Sequence, residues 1–325
     1  MKKILVIVER HAGAIDDSAW ELLTLARALA GGDGTVSAAL LGEGLDALAA
    51  ELAKGFDNVH VFDDSRLAVP DAEGDGLALV ALIEREGYSL TLAAHTNLSI
   101  DLLPWLSVKV GGPLLADCFE LAWRGDELEA KRTVFEGKVH AKVATSASDK
   151  GYFATVRGGA FEGAAPAANA GGAIQPESLP ADFAPRRKAL RTVEPEAGEV
   201  DITASEVLIA VGRGIEEEEN LEIINSLAEA AGAAVCCSRP VVDKGWLPKA
   251  RQVGTSGLTV SPKLYVAVGI SGSFQHMGGV KGSSYLVAIN KDAKAPIFGV
   301  ADVGIVGDLF EVIPALEEEF KKVRS

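Results

Sequence analysis

Two doubly wound α/β domains, the first with an antiparallel extension and the second built on a parallel sheet, are what this sequence predicts. Three observations predict them. Short β-branched runs alternate with longer helical stretches from residue 1 to about 100, the pattern of a parallel sheet with helices on its faces. The same alternation restarts near residue 201, after a stretch rich in Ala, Gly and Pro. The length, 325 residues, is that of roughly two domains, since one commonly holds about 100–200.

The elements follow in order. A first strand is expected over residues 4–8. Ser18-Ala-Trp-Glu21 has the spacing of a capping box, and Leu22, Leu23, Leu25, Ala26 and Leu29 follow at helical intervals. Gly31-Gly32 then stops the helix. Further strands are expected at 36–41, 59–62 and 90–94, with helices near 44–54 and 76–86. Past Gly111-Gly112-Pro113 the periodicity changes, and 118–123, 127–135, 139–145 and 152–157 read as consecutive strands, with Arg124-Gly125-Asp126 as a turn. From 158 to 206 little periodicity remains, which suggests a linker or a wrapping strand. Strands at 207–211, 233–237, 264–268 and 285–289, a helix over 217–231 and a closing helix from 308 to about 322 complete the second domain. The division is therefore 1–200 and 201–325.

Composition narrows the function. The chain is 48% hydrophobic and 24% charged, ordinary for a globular protein, and its net charge of −15 disfavours nucleic acid and anionic membrane. Residues 201–325 hold 12 basic and 16 acidic side chains, so neither half is a basic binding module. Cys118, Cys236 and Cys237 are too few for a disulfide framework, and the adjacent pair reads as the end of a buried strand. With no long apolar run, a soluble cytoplasmic protein is expected. His11, His60, His95 and His140 are scattered without metal-ligand spacing.

In the second domain glycines and polar residues gather just after strands, where open parallel sheets bind ligands. Gly212-Arg213-Gly214 follows one strand, and Gly269-Ile-Ser-Gly-Ser-Phe-Gln-His276-Met-Gly-Gly279 follows another. Two such loops suggest a dinucleotide, although Glu217 stands where the NAD fingerprint wants its third glycine. Each loop also reads as a tight turn needing positive φ. An NAD-dependent oxidoreductase on two doubly wound domains is one reading, but no proton-transfer pair accompanies it.

A sharper reading comes from longer motifs. These are Cys236-Cys-Ser-Arg-Pro-Val-Val-Asp243-Lys-Gly-Trp246, Arg251-Gln-Val-Gly-Thr-Ser-Gly257, Leu264-Tyr-Val-Ala-Val-Gly-Ile-Ser-Gly272, Ala288-Ile-Asn-Lys-Asp292 and Ala301-Asp-Val-Gly-Ile-Val-Gly-Asp308. Together they resemble the α subunit of electron transfer flavoprotein, the FixB-like family. Lys3-Ile-Leu-Val and Thr155-Val-Arg-Gly-Gly-Ala-Phe161 extend the resemblance, more loosely, into the first domain.

The resemblance implies that the second domain binds FAD. Arg239 would lie over the isoalloxazine, Ser256 would hydrogen-bond flavin N5, and His276 would face the C2 carbonyl. Arg213, Ser238, Val253, Gly254, Thr255, Ser271, Gly272, Ser273, Phe274, Gln275, Asn290, Asp308 and Leu309 would hold the rest. Many members have Gln-Thr where this chain has Thr255-Ser256, so the N5 donor keeps its hydroxyl and loses a methyl. It further implies a heterodimer with a β subunit carrying AMP or, in bifurcating members that use NADH, a second FAD. Electrons would come from flavin dehydrogenases and pass to a membrane quinone oxidoreductase. The first domain, whose helices are rich in apolar residues, would supply most of the subunit contact.

Physical chemistry points the same way. A one-electron carrier must stabilise negative charge gained near flavin N1 and the C2 oxygen, and fixed cations do this; Arg239 and His276 are the candidates. The turn at Ser271–Ser273, opening a short helix, would offer N–H groups to a pyrophosphate. Simpler roles stay open: Arg239 as a surface ion pair with Asp243, His276 as a cap of its own helix, Trp246 as packing, Glu216–Glu219 as a solvated first helical turn, and residues 94–101 as a capped helix start.

Overall fold

The computed structural model describes residues 2–11, 13–135, 139–163, 171–190, 200–281 and 285–324. The chain forms two compact units, Met1–Thr192 and Val193–Ser325.

In the first unit, β1 (Lys3–Val8) is followed by a small hairpin, β2 (Arg10–His11) with β3 (Ala14–Ile15), then α1 (Ser18–Ala30) and β4 (Thr35–Gly42). Next come α2 (Asp46–Leu52), β5 (Asn58–Asp63), α3 (Ala72–Glu86), β6 (Leu90–Ala94) and α4 (Asn97–Val110). β7 (Leu114–Arg124), β8 (Glu127–Val134), β9 (Val139–Ala144), β10 (Tyr152–Val156) and β11 (Ala173–Pro176) complete it. Nine strands form one sheet in the order β11-β5-β4-β1-β6-β10-β7-β8-β9. It is parallel from β11 to β7 and antiparallel across β7-β8-β9.

β1, β4 and β6 are apolar on both faces because helices cover both. One core packs Ile4, Val6, Val36, Ala38 and Leu92 against Leu22, Leu25, Ala26 and Leu29 of α1. The other packs Leu5, Ile7 and Ala93 against Leu79, Leu82 and Ile83 of α3 and Leu102, Leu103 and Leu106 of α4. The apolar helix faces are thus spent on this unit's own core, and only part of α4 departs from that, with Ile100 and Val108 exposed.

Two sequence expectations for this unit change. Ser18 is inside α1 rather than its cap: its N–H is taken by Asp16 Oδ1 at 2.9 Å, and Glu21 instead accepts from the Gly159 N–H at 2.6 Å. Gly31 ends the helix as expected, at φ +70°. The fourth strand of the expected extension, β10, is not part of it. It inserts between β6 and β7, parallel to both, with all five residues buried. The capped helix start at 94–101 is the one formed, by reciprocal bonds between Thr96 and Ser99. Of the stretch 158–206, residues 173–176 form β11, a wrapping strand paired to β5. The Ala-rich run 164–170 and residues 191–199 lie outside the described residues.

The second unit comprises β12 (Val207–Val211), α5 (Leu221–Ala231), β13 (Ala234–Cys237), α6 (Arg239–Asp243), β14 (Leu264–Val268), α7 (Phe274–Met277), β15 (Tyr285–Asn290), β16 (Val303–Val306) and α8 (Leu309–Arg324). Its sheet is parallel throughout, in the order β13-β12-β14-β15-β16. Ile209, Val211, Val266 and Val268 pack with Ile224 and Leu227 of α5 and Ile313 of α8, and Trp246 lies partly buried against this cluster. On the other face Leu208, Ala210, Cys236, Tyr265 and Ala267 meet Val253, Ile270 and Ile297. α5 starts later than expected, after a 3-10 turn over Glu218–Asn220, and Glu216 is not helical but sits at φ +72°. β16 was not foreseen: Val303–Val306 contains a glycine and lies half exposed, so burial periodicity gives it no signal. All three cysteines are free and buried, and among the described residues no helix is long and apolar enough to cross a membrane.

Candidate functional site

The candidate residues of the second unit lie along the C-terminal ends of its five parallel strands, or on the loop beside them. Arg213 follows β12, Ser238 and Arg239 follow β13, the run Ser271 to His276 follows β14, Asn290 ends β15, and Asp308 and Leu309 follow β16. Val253, Gly254, Thr255 and Ser256 join them because the Val253 N–H bonds to the Cys237 carbonyl at 2.9 Å and the Thr255 N–H to the Gln275 carbonyl at 2.7 Å. Consecutive β–α connections put every one of these loops at the same sheet end.

The sheet reverses its order at β12, whose neighbours are β13 and β14. The crevice there is closed by backbone. Gly214 donates to the Gly269 carbonyl at 3.0 Å, and a Cβ on Gly214 would fall 2.7 Å from the Gly269 Cα. These glycines serve loop-to-loop approach; the tight turn at positive φ expected of each loop is found at Gly269 (φ +62°) and Gly272 (φ +82°) and not at Gly212, whose φ is −109°. Glu216, at a positive φ of +72° that a glutamate seldom adopts, pairs with Lys291, whose Nζ is 2.7 Å from its carboxylate.

Arg239 is the first residue of α6, and its side chain is two-thirds exposed; its Nε stands 3.4 Å from Asp243 Oδ2. The surface ion pair is therefore formed, and such a pair is worth so little that it can be exchanged for another anion. Ser238 is buried at the strand end.

Ser256 is oriented by its neighbours. Gln252, buried, donates its amide Nε2 to Ser256 Oγ at 3.0 Å, while its Oε1 accepts from Lys249 Nζ at 3.3 Å. The lysine, a donor only, fixes which end of the amide faces the serine. Because Ser256 Oγ already accepts, its own hydrogen is left to donate elsewhere. Lys249 also ties down the Ser256 carbonyl at 2.8 Å.

His276 departs from its expected role as a cation. It is buried on α7, and burial pushes its pKa down to about 4 against a backbone contact with Val253 that favours the charged form, so the ring is neutral at pH 7. Nε2 lies 2.8 Å from the Tyr265 hydroxyl, whereas Nδ1 is cut off from solvent and makes no hydrogen bond of full geometry. Its main-chain N–H faces Ser273 Oγ at 3.4 Å, so it is Ser273, not His276, that caps the helix. α7 is one turn of four residues, too short to build the macrodipole expected for a pyrophosphate.

Other candidates are engaged locally. Gly272 has φ +82° and a Cβ there would meet the Ile297 backbone nitrogen at 2.4 Å, so only glycine fits. Asn290 donates to the Ile270 carbonyl at 2.9 Å and accepts from the Asp292 N–H at 2.9 Å. Asp308 accepts from the Phe310 N–H at 3.0 Å at the start of α8, where Leu309 is buried. Arg213 and Ser271 are exposed, as are Thr255, Ser273 and Gln275, and Phe274 is half-buried. Reading the sequence missed Tyr265, Gln252 and Lys249 as contributors. The only signal for Tyr265 was a hydroxyl in an otherwise apolar strand, which must find a partner when buried.

A cofactor with acceptor atoms fits this donor set: the orphaned His276 Nδ1, the freed Ser256 hydrogen and the exposed Arg239 guanidinium. Comparison with known proteins identifies the family. Residues 201–281 match the family model described as the electron transfer flavoprotein FAD-binding domain, and residues 4–182 match the electron transfer flavoprotein domain. An electron transfer flavoprotein subunit alpha from Bacillus subtilis is 35% identical over 324 residues, covering 99% of this chain and 98% of its own length. Another, from Methylophilus methylotrophus, is 37% identical with coverage of 99% and 98%. The LctC subunit of a lactate dehydrogenase (NAD(+),ferredoxin) from Acetobacterium woodii is 35% identical, covering 96% of this chain and 75% of its own.

Proposed function

This chain belongs to the electron transfer flavoprotein α-subunit family, and from that membership we propose that its second unit holds FAD at the C-terminal ends of β12–β16 and works as an electron carrier. No substrate bond is made or broken. The bound flavin supplies the redox chemistry. The chain's own residues supply position and field: Arg239 an exposed positive charge, Ser256 a hydroxyl hydrogen aimed by Gln252, and His276 a buried neutral ring. The observation that carries the reading is His276 Nδ1, which among the described residues of the second unit is the one buried side-chain polar atom with no hydrogen bond. Arg213, Ser238, Val253, Gly254, Thr255, the run Ser271 to Gln275, Asn290, Asp308 and Leu309 line the same strand ends and complete the proposed binding surface. The test is direct: the purified protein should keep a flavin absorbance band through desalting, at one FAD per α chain. A colourless protein that takes up no added FAD overturns the proposal.

We place the chain in a heterodimer with a β subunit that holds AMP, taking electrons from flavin dehydrogenases and delivering them to a membrane quinone oxidoreductase. A bifurcating carrier, reduced by NADH and holding a second FAD in the β subunit, is the second reading. It is favoured by the likeness to a subunit of an NAD(+)- and ferredoxin-named enzyme. Flavin content per heterodimer separates the two, one for the simple carrier and two for the bifurcating one.

A further inference from the structure

Behind His276 lies a buried chain of polar groups that reading the sequence did not connect. Cys236 on β13 and Tyr265 on β14 sit on the same face of the sheet, with β12 and its small Ala210 between those strands. Cys236 and Tyr265 have no measurable exposure. The Cys236 Sγ is 4.0 Å from the Tyr265 hydroxyl, and that hydroxyl is 2.8 Å from His276 Nε2.

The order of the hydrogens along this chain follows from what each group can hold. Burial raises the pKa of both the thiol and the phenol, so each keeps its hydrogen at neutral pH, while the imidazole is neutral and carries one N–H. If Nε2 bore that hydrogen, it would donate to the phenol, and the phenol could donate only to sulfur at 4.0 Å, a weak acceptor. If the phenol donates to Nε2, the 2.8 Å bond is a strong O–H···N one and the thiol closes onto the phenol oxygen. The ring hydrogen then sits on Nδ1. The second order makes the better bonds.

We propose that Tyr265 is a positioning residue for the cofactor: its hydroxyl donates to His276 Nε2, fixes the imidazole in the Nδ1–H form, and thereby presents the unpartnered nitrogen to an acceptor atom of FAD as a donor. This rests on the FAD reading given above. A neutral donor stabilises charge gained by the flavin without the cost of burying a cation. It is also a preset one, because the tyrosine is locked in the core before the ligand arrives.

Nitrogen-15 NMR of the full chain labelled at histidine tests this in both flavin-free and FAD-loaded protein, with Tyr265→Phe as the variant, since it removes one oxygen and keeps the ring. The wild type should show His276 as a single neutral Nδ1–H tautomer before FAD is added. Tyr265→Phe should release that fixed tautomer and weaken FAD binding about tenfold, the equivalent of one lost hydrogen bond. An Nε2–H form or an imidazolium in the wild type at neutral pH overturns the proposal, and so does a Tyr265→Phe protein with unchanged tautomer and affinity. The wild-type spectrum decides the tautomer even if the variant fails to fold. A fixed Nδ1–H tautomer in a chain that binds no FAD would instead sink the flavin reading, and with it the use assigned to that hydrogen.

Discussion

At Arg239 two roles meet in one side chain. The guanidinium is exposed and paired with Asp243 at 3.4 Å, so the pair itself adds little stability. Against a flavin that gains negative charge the same cation is worth more. Attraction at about 4 Å in an effective dielectric of ~20 is roughly 4 kcal/mol, and screening leaves ~1–2 kcal/mol. At about 59 mV per tenfold for one electron, Arg239→Ala should lower the first reduction potential by roughly 40–85 mV. A redox titration superimposable on the wild type would remove Arg239 from the flavin's surroundings. Asp75 carries a prediction of a different kind. Burial, with the Asp71 and Glu9 carboxylates nearby and only Arg10 and a backbone hydrogen bond at Asp71 opposing, pushes its pKa up to about 7. The folded state therefore binds a proton that the unfolded chain has released above about pH 4, and stability falls as pH rises from about 4 to about 7. Asp75→Asn should flatten that slope and raise stability at pH 8 by on the order of a few kcal/mol. Denaturant midpoints at pH 5 and 8 check it; an undiminished slope in the variant would refute it. Of the residue-level picture, the sequence offers Arg239, Ser256 and His276 as candidates because their motifs are written contiguously. The charge of His276 was not legible, since it depends on burial. Tyr265 was not either, since its partner lies on a separate loop brought near only by folding.

Among the elements, the strand runs were legible and their neighbours less so. β10 reads as one more strand in a series, yet its burial on both faces places it inside the parallel core. Helix starts were misread where a polar side chain found a distant partner, as Glu21 did with Gly159. β11 shows what local reading omits altogether. Its pairing with β5 is locked by Glu177, which lies just past its end and takes His60 Nδ1 at 2.8 Å and Arg85 at 2.6 Å, while Tyr88 closes on His60 Nε2 at 2.9 Å. Glu177→Ala would leave a buried histidine nitrogen unpaired and cost about 2 kcal/mol. Faster hydrogen exchange across 173–176 and 58–63, with β1 and β6 unchanged, is the expected result. Equal protection in both proteins would mean that backbone pairing alone holds the strand. Burial raises the Glu177 pKa, but the bonds from the arginine and the histidine outweigh it and hold the carboxyl below its usual value. The latch is therefore intact at neutral pH and is lost as pH falls through that lowered pKa.

For the whole molecule, the decisive fact is that each unit has apolar clusters drawn from its own residues, with β1, β4 and β6 at the centre of one and β12, β14 and β15 at the centre of the other. The charge of the sequence, −15, bears on solubility and on which partners are repelled, not on this division. A ligand that binds only the folded second unit stabilises that unit by mass action, about 2.7 kcal/mol at a free concentration a hundred times its dissociation constant. Since every residue proposed to hold FAD belongs to the second unit, FAD should slow hydrogen exchange in β12 and β14 and leave β1 and β6 as they were. Thermal unfolding followed separately in the two units should show the same asymmetry, with only the second transition moving upward. Equal protection of both sheets would mean that they unfold as one cooperative body, and protection confined to β1 and β6 would place the nucleotide on the wrong unit in our account.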